Sequence, residues 1–560
     1  MANSKNFWDG DSASTGIDVP TKKGASQPSK NDTADSVIVE NKFEFNWWWV
    51  AAGALILVLI VVAVILNLNH SHTGDNAENI SGTINIDNGD NKINWDRYPS
   101  FNAELSGSYK ITESGTYYLS GNIDDGLINI NVASDAVVRL ILNNVSIKNS
   151  NGPAIACYGG DDLVIELNGE NYLEDGASYS ADFDADVDGV IYSKADLSFS
   201  GDGTLNTTAN HADAIVSKDD LKFNSGKYII TAIDDGIRGK DSVYVINGDF
   251  KISTKGDAIK STNETDTTKG FVLIEDGNFE INAGAKGIKA INSILIYDGN
   301  FAITSTDDTI HSNNYVGIID GTLDLASSDD GIHADARLII DGGKINITKS
   351  YEGLEAQKIS INGGEVSIYS NDDGMNAGGG ADGSANSRAG AGAFDVNENC
   401  ELIINGGEIY VNAAGDGIDS NGYIYINGGN IAVDGPTNNG NGALDSGASI
   451  MMNGGSVIAL GASGMAETLG TSSSIYNISV YFSSTQNKGT VVEIRNSAGD
   501  IVLSHTSAKT FNHLAAGTSA FQSGETYTIY INGALYESFT VSNITTTIGN
   551  SAAGQRGQMR

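Results

Sequence analysis

The sequence predicts an all-β protein: a parallel β-helix of about 22 residues per coil, with a small C-terminal antiparallel β cap and one transmembrane helix before it. Two observations carry the solenoid. Aligned on Gly331, a unit recurs at Ala214, Gly236, Ala258, Gly287, Thr309, Gly331, Gly353, Gly374, Gly417 and Ala443, in steps of 22, 22, 29, 22, 22, 22, 21, 43 and 26 residues. The residue after each is large and apolar: Ile215, Ile237, Ile259, Ile288, Ile310, Ile332, Leu354, Met375, Ile418 and Leu444. Units of three short strands cannot bury their apolar faces alone and must stack on their neighbours. The transmembrane helix rests on a third observation, the twenty uncharged residues Trp47–Leu66, about the length that spans a bilayer core.

In chain order, residues 1–46 read as a polar, disordered cytoplasmic tail and 47–66 as the transmembrane helix. Lys22, Lys23, Lys30 and Lys42 precede the span, and no Lys or Arg occurs from Asn67 to Asn91. The positive-inside rule then places the remainder outside the cell, as a single-pass surface protein with an extracellular C-terminal ectodomain. Residues 67–96 read as a polar tether. Residues 97–470 form the β-helix. Its longer steps are ordinary ones plus an insertion, NETDTTK at Asn263–Lys269 and a Gly/Ala-rich stretch at about Gly378–Glu398. Each unit, such as SINGGEVSIYSNDDGMNA, has a strand ending in Asn-Gly or Asp-Gly, a second strand, and a carboxylate-rich corner leading to a third. Residues 471–548 carry longer alternating strands with hairpin-like turns, a cap that protects the open end of the last coil. Residues 549–560 are a tail.

Composition narrows function. The formal net charge is −38, from 32 Lys plus Arg against 70 Asp plus Glu, which excludes nucleic acid as a partner and fits a cation-binding exported protein. Cys157 and Cys400 are too few and too far apart for a disulfide framework and read as buried thiols.

Equivalent residues of successive coils lie about 4.8 Å apart, so each column of the repeat is a physical row. The column before the aligned position is Asp213, Asp235, Asp257, Lys286, Asp308, Asp330, Glu352, Asp373, Asp416 and Gly442; Asp234, Asp307, Asp329 and Asp372 double it one place earlier. Two carboxylates at that spacing repel by about 3.5 kcal/mol at an effective dielectric of 20, so a half-buried row needs cations. Carboxylates and turn carbonyls suit Ca²⁺. The candidate metal ligands are therefore Asp234, Asp235, Asp257, Asp307, Asp308, Asp329, Asp330, Glu352, Asp372, Asp373 and Asp416, with Asp307/Asp308 and Asp329/Asp330 as the best single site. The competing reading is that each Asp merely caps a tight turn.

Two places after the aligned position runs an outward row, Val216, Arg238, Lys260, Lys289, His311, His333, Glu355, Asn376, Asp419 and Asp445. Its cations Arg238, Lys260, Lys289, His311 and His333 are the candidate carbohydrate contacts, a graded stripe for a polyanionic chain; a mixed solvated face is the alternative. DDGIHAD, Asp329–Asp335, looks like an active site in isolation but is one rung of these rows. Outward Tyr410, Tyr423 and Tyr425 are candidates for stacking on sugar rings. No motif singles out a catalytic residue. A lyase would use Ca²⁺ with Lys260 or Lys289 as base, and repetition of the carboxylate from coil to coil argues for a structural role and against a hydrolase.

The stretches YKITESGTYYLSGNIDDGLINI, VVRLILNNVSIKNSNGPAI, LNGENYLEDG and SKADLSFSGDGTLN, followed by the DDGI coils, resemble the carbohydrate-binding domain-containing β-helix proteins of bacterial surfaces. The resemblance covers about residues 95–545. It implies a right-handed, pectate-lyase-like β-helix with bound Ca²⁺, and binding of cellulose- or pectin-like polysaccharide without catalysis. A Ca²⁺-dependent uronate lyase, and a structural spacer or adhesin without a glycan ligand, are the rival functions.

Overall fold

The computed structural model describes residues 93–378 and 396–550, together with Ala77. The expected cytoplasmic tail, transmembrane helix and most of the tether lie outside the described residues, as do most of the Gly/Ala-rich insertion and the last ten residues. Among the described residues, no helix is long and apolar enough to cross a membrane.

The described chain is a β-solenoid of about 15 turns with almost no helix; one 3₁₀ turn, Trp95–Arg97, precedes the first strand. Each regular coil has three faces. A three-residue strand such as Ile237–Gly239 forms the first, a four-residue strand such as Ser242–Val245 the second, and a six-residue strand such as Asp249–Thr254 the third. Every strand pairs in parallel with its equivalent one coil on. The first face runs in register through Ile215↔Ile237, Ile237↔Ile259, Ile259↔Ile288, Ile288↔Ile310, Ile310↔Ile332, Ile332↔Leu354, Leu354↔Met375, Met375↔Ile418 and Ile418↔Leu444. This is the column read from the repeat, and all ten of its residues are buried.

The third face shows why the sequence alternates. In DFKIST, NFEINA and NFAITS, exposed and buried residues take strict turns, as the period of two demands. Its inward aromatics stack along the axis. Phe250, Phe279 and Phe301 lie 4.8 and 4.6 Å apart, with ring planes within 2° of parallel. Between second and third faces the chain turns at glycine. Gly343 has φ +84, and a Cβ there would meet the Gly321 carbonyl at 2.8 Å, so both backbone conformation and the coil below require glycine. At the same turn of later coils an asparagine ladder links Asn362, Asn405, Asn427 and Asn453 by side-chain hydrogen bonds of 2.7 to 3.0 Å, each Nδ2 donating to the Oδ1 one coil back.

Both insertions leave this stacking intact. Asn263–Lys269 and the Gly/Ala-rich stretch leave at the same corner, between first- and second-face strands, and the strands on either side pair in register.

Beyond the last coil, Ser456–Gly461 pairs antiparallel with Phe511–Thr518, which also pairs antiparallel with Asn477–Gln486; Thr545–Ile548 joins the latter in parallel. Val491–Arg495, Ile501–Thr506, Thr526–Ile531 and Ala534–Thr540 form a separate four-stranded antiparallel sheet. Asp434 on the last coils is buried beneath this unit and accepts from Tyr410 Oη, His505 Nε2 and the Ala508 amide, each at 3.0 Å. Cys157 and Cys400 are free, buried thiols.

Candidate functional site

The acidic column lies where the third-face strand turns into the first, and it is not a solvated ridge. Asp213, Asp235, Asp257, Lys286, Asp308, Asp330 and Glu352 are all buried. The two oxygens of each carboxylate divide the work. Oδ1 accepts the backbone N–H of the equivalent residue one coil on: Asp213 from Asp235, Asp235 from Asp257, Asp257 from Lys286, Asp308 from Asp330, Asp330 from Glu352, and Asp373 from Asp416, at 2.6 to 3.1 Å. Asp416 bonds the Gly442 amide in the same way. Lysine cannot accept, so the Asp308 amide turns to the neighbouring Asp307 Oδ1 at 2.9 Å instead. The turn-capping reading of the column is therefore correct for one oxygen, with the turn being that of the next coil.

The second oxygen faces the row of mixed residues, which supplies cations unevenly. Arg238 bonds Asp213 and Asp188 at 2.6 and 2.5 Å. Lys260 pairs with Asp235 and Asp257. The Lys286 ammonium lies between Asp307 Oδ1 and Asp308 Oδ2 at 2.8 and 2.7 Å, the place expected for calcium at the best single site. His311 Nδ1 is 2.8 Å from Asp308 Oδ2. Although burial opposes it, His311 and Lys286 hold the Asp308 carboxyl well below the usual range.

His333 stacks under His311 with ring centroids 4.8 Å apart. Its Nδ1 faces Asp330 Oδ2 at 3.2 Å and Glu355 Oε2 at 2.9 Å, and its Nε2 faces Asp335 Oδ1 at 3.1 Å. Burial would lower its pKa, but the three carboxylates push it up to about 12. Burial and the crowding of Glu355 and Asp330 raise Glu352 well above its ordinary value.

Beyond Glu352 no cationic side chain enters the row among the described residues. Burial and neighbouring carboxylates raise Asp373 to about 8, while burial raises Asp416 to about 7. Burial, then Asp373, Asp416 and Asp445, raise Asp419 well above its ordinary value. Asn376 donates to Glu352 Oε2 at 3.0 Å, while its buried Oδ1 has no hydrogen-bond partner.

Several expected contacts change role. His311 and His333 are each 1% exposed, so they cannot touch a polymer as an outward stripe would. Arg238 and Lys260 are half-buried and ion-paired, because the carboxylates beneath draw them in. Lys289 is half-buried, and among the described residues it is the one of the five cations with no carboxylate in an ion pair with it. Asp234 is exposed and Asp307, Asp329 and Asp372 are half-buried. Tyr425 is buried, and the Tyr410 hydroxyl is engaged by Asp434. Sequence reasoning missed Asp188 and Asp335, which lie off the aligned columns; Asp419 and Asp445 stood in the outward row but were not counted as ligands.

It also missed a concave surface on the third face. A trough of about 730 Å³ crosses successive coils, its outer lining including Lys227, Asp249, Lys251, Asn278, Glu280 and Ala302. Short Ala302 stands where its neighbours carry Glu280 and Asp324, and a second concavity with Ser253, Asn282 and Thr304 adjoins it.

The fold and row define a β-solenoid whose coils are tied by buried carboxylates. Residues 106–374, a little under half of the chain, match the family model of the carbohydrate-binding domain-containing proteins. A relative from Acetivibrio thermocellus, described as a carbohydrate-binding domain-containing protein, is 28% identical over 164 residues, 29% of this chain and 56% of that protein. The match thus spans little more than half of that relative. The solved structure of a polysaccharide lyase-like protein from C. thermocellum, a gadolinium derivative, is 25% identical with a TM-score of 0.36, covering 44% of this chain and 99% of that one.

Proposed function

We propose that this is a polysaccharide-binding protein of the cell surface, anchored through residues 47–66, that holds Ca²⁺ and performs no catalysis. The observation that carries the polymer is the third-face trough. It is open, it crosses several coils, and its lining mixes cationic, anionic, amide and small side chains. Such a lining suits hydroxyl-rich chains, which both donate and accept hydrogen bonds. The family match supports carbohydrate as the ligand class, and cellulose- or pectin-like glycans are the expected ligands. Coils of the expected right hand follow the rule for parallel crossovers.

For calcium, the end of the row beyond Glu352 is the place we favour. A hard cation seeking six to eight oxygens competes poorly where Arg238, Lys260 and Lys286 already neutralise the carboxylates. Asp373, Asp416, Asp419 and Asp445 fit better, with the unbonded Asn376 Oδ1 beside them. There an ion would supply the positive charge that the coil sequence does not.

The test is retention of the full-length chain on insoluble and immobilised polysaccharides, with Ca²⁺ and with chelator. Retention on at least one glycan, lost when Ala302→Arg fills the trough, is the expected result; no retention on any would leave a structural spacer or adhesin. One observation favours a lyase as the second reading: among the described residues Lys289 has no carboxylate partner. Unsaturated product from polygalacturonate and Ca²⁺, absent in Lys289→Ala, would establish it. Protease accessibility of the C-terminal part on intact cells tests the anchoring.

A further inference from the structure

The middle of the row holds a group of side chains whose chemistry differs from the all-oxygen corners. His333 Nδ1, Asp330 Oδ2 and Glu355 Oε2 lie within 4.8 Å of one another, with Nδ1 at 3.2 and 2.9 Å from the two oxygens. All three residues are at most 4% exposed. One N–H cannot serve both carboxylates, and among the described residues the buried Glu355 Oε2 has no N–H donor other than that ring. We propose that Asp330, His333 and Glu355 form a binding site for a first-row divalent transition ion such as Zn²⁺, separate from any calcium site.

Three features argue for this over alternatives. A tetrahedral ion with bonds of about 2.0–2.2 Å sets its ligand atoms about 3.3–3.6 Å apart, within a few tenths of an ångström of the spacings present around Nδ1. Imidazole with carboxylates selects such ions over Ca²⁺ and Mg²⁺, which take oxygen. The second ring nitrogen, Nε2, is held by Asp335 Oδ1 at 3.1 Å, the carboxylate support that orients a metal-bound imidazole and fixes its tautomer. The neighbouring group, Asp308 with His311 and His333, also joins carboxylate to imidazole. Its Asp308 Oδ2 is already 2.7 Å from the Lys286 ammonium, which would repel an ion; among the described residues no Lys or Arg is ion-paired to Asp330 or Glu355. Binding at Nδ1 releases its proton to solvent, so uptake strengthens as pH rises. Asp335 is partly exposed and marks the side from which an ion enters.

The full-length chain, stripped with chelator and kept in Ca²⁺, is titrated with Zn²⁺ against a chromophoric competitor and with Co²⁺ by visible absorption. One saturable ion per chain is expected, lost in Glu355→Gln, which keeps the side-chain shape, and in His333→Gln. Asp335→Asn should weaken it by roughly 10–100-fold, whereas Asp416→Asn should leave it unchanged. X-ray absorption of the zinc form should show an imidazole nitrogen at the metal. An oxygen-only shell, retention of the ion by folded His333→Gln and Glu355→Gln, or no saturable uptake by folded wild type would overturn the proposal. Calcium binding, read separately in Asp416→Asn, stands or falls independently.

Discussion

Asp416→Asn should stabilise the calcium-free chain at neutral pH. Burial raises the Asp416 carboxyl from 3.8 to about 7, with Asp445 and Asp372 adding to it. A carboxyl whose native pKa exceeds its unfolded value contributes stability that is complete below about 3.8 and is lost as pH rises through about 7. A tenfold change in proton affinity is about 1.4 kcal/mol, so the full shift corresponds to about 4 kcal/mol; screening at a half-buried corner reduces it to about 2 kcal/mol. Asparagine removes the charge, and its Oδ1 can still accept from the Gly442 amide. In chelator at pH 7.5 the variant's thermal and urea midpoints should lie above wild type, and the difference should vanish by pH 4. Wild type should gain stability on acidification from 7.5 to 5, since Asp416 takes up a proton there and Asp373, raised to about 8, already holds one that the unfolded chain binds only near 3.8; His513, lowered by burial to about 4, offsets one proton of that slope. Calcium should raise the midpoint of wild type and do little for the variant. A variant less stable than wild type in chelator at pH 7.5, or a wild-type midpoint flat from pH 5 to 7.5, would refute the claim that these carboxylates lack a cation.

Other expectations follow from packing and charge. Phe279→Ala removes a ring that is 2% exposed and stacked on both sides, so it should cost about 3–5 kcal/mol in urea unfolding. Gly343→Val places a branched side chain at φ +84 against the coil below; a loss of about 1–3 kcal/mol and a lower yield of folded chain are expected, while an unchanged urea midpoint would contradict the turn geometry. Asp434→Ala deprives Tyr410, His505 and the Ala508 amide of their acceptor. It should weaken docking of the C-terminal β unit by about 3 kcal/mol, read as faster proteolysis between residues 462 and 476 with the coils intact.

The interior was legible because one position per coil must be large and apolar, and Ile215 to Leu444 obey that rule across both insertions. The acidic column was legible as a set of positions and not as an environment. Whether Asp308 is solvated depends on His311 three residues on and on Lys286 one coil back, contacts that exist only once coils are stacked. Lys286 read as a gap in the metal row because its reach to Asp307 is set by geometry. The graded stripe of cations was real as an order of residues, yet the carboxylates beneath had already drawn most of it inward. The trough left no sequence signal, since it arises from the small size of Ala302 relative to Glu280 and Asp324 in different coils. The terminal strands were legible as strands, but the antiparallel seat of Phe511–Thr518 on Ser456–Gly461 joins residues 62 apart at its Ser456–Thr518 end.

The two insertions leave from the same corner, and the carboxylate bonds bridge them: Asp257 reaches the Lys286 amide, and Asp373 reaches that of Asp416, as they would across an ordinary step. The molecule therefore counts floors and not residues. At that corner the thread can be paid out by seven residues or by about twenty, and the storey above is laid on the same footing. Foreign sequence spliced between residues 379 and 395 would leave the building below and above it level, which makes that corner a natural balcony on which to mount a tag, an epitope or a second domain.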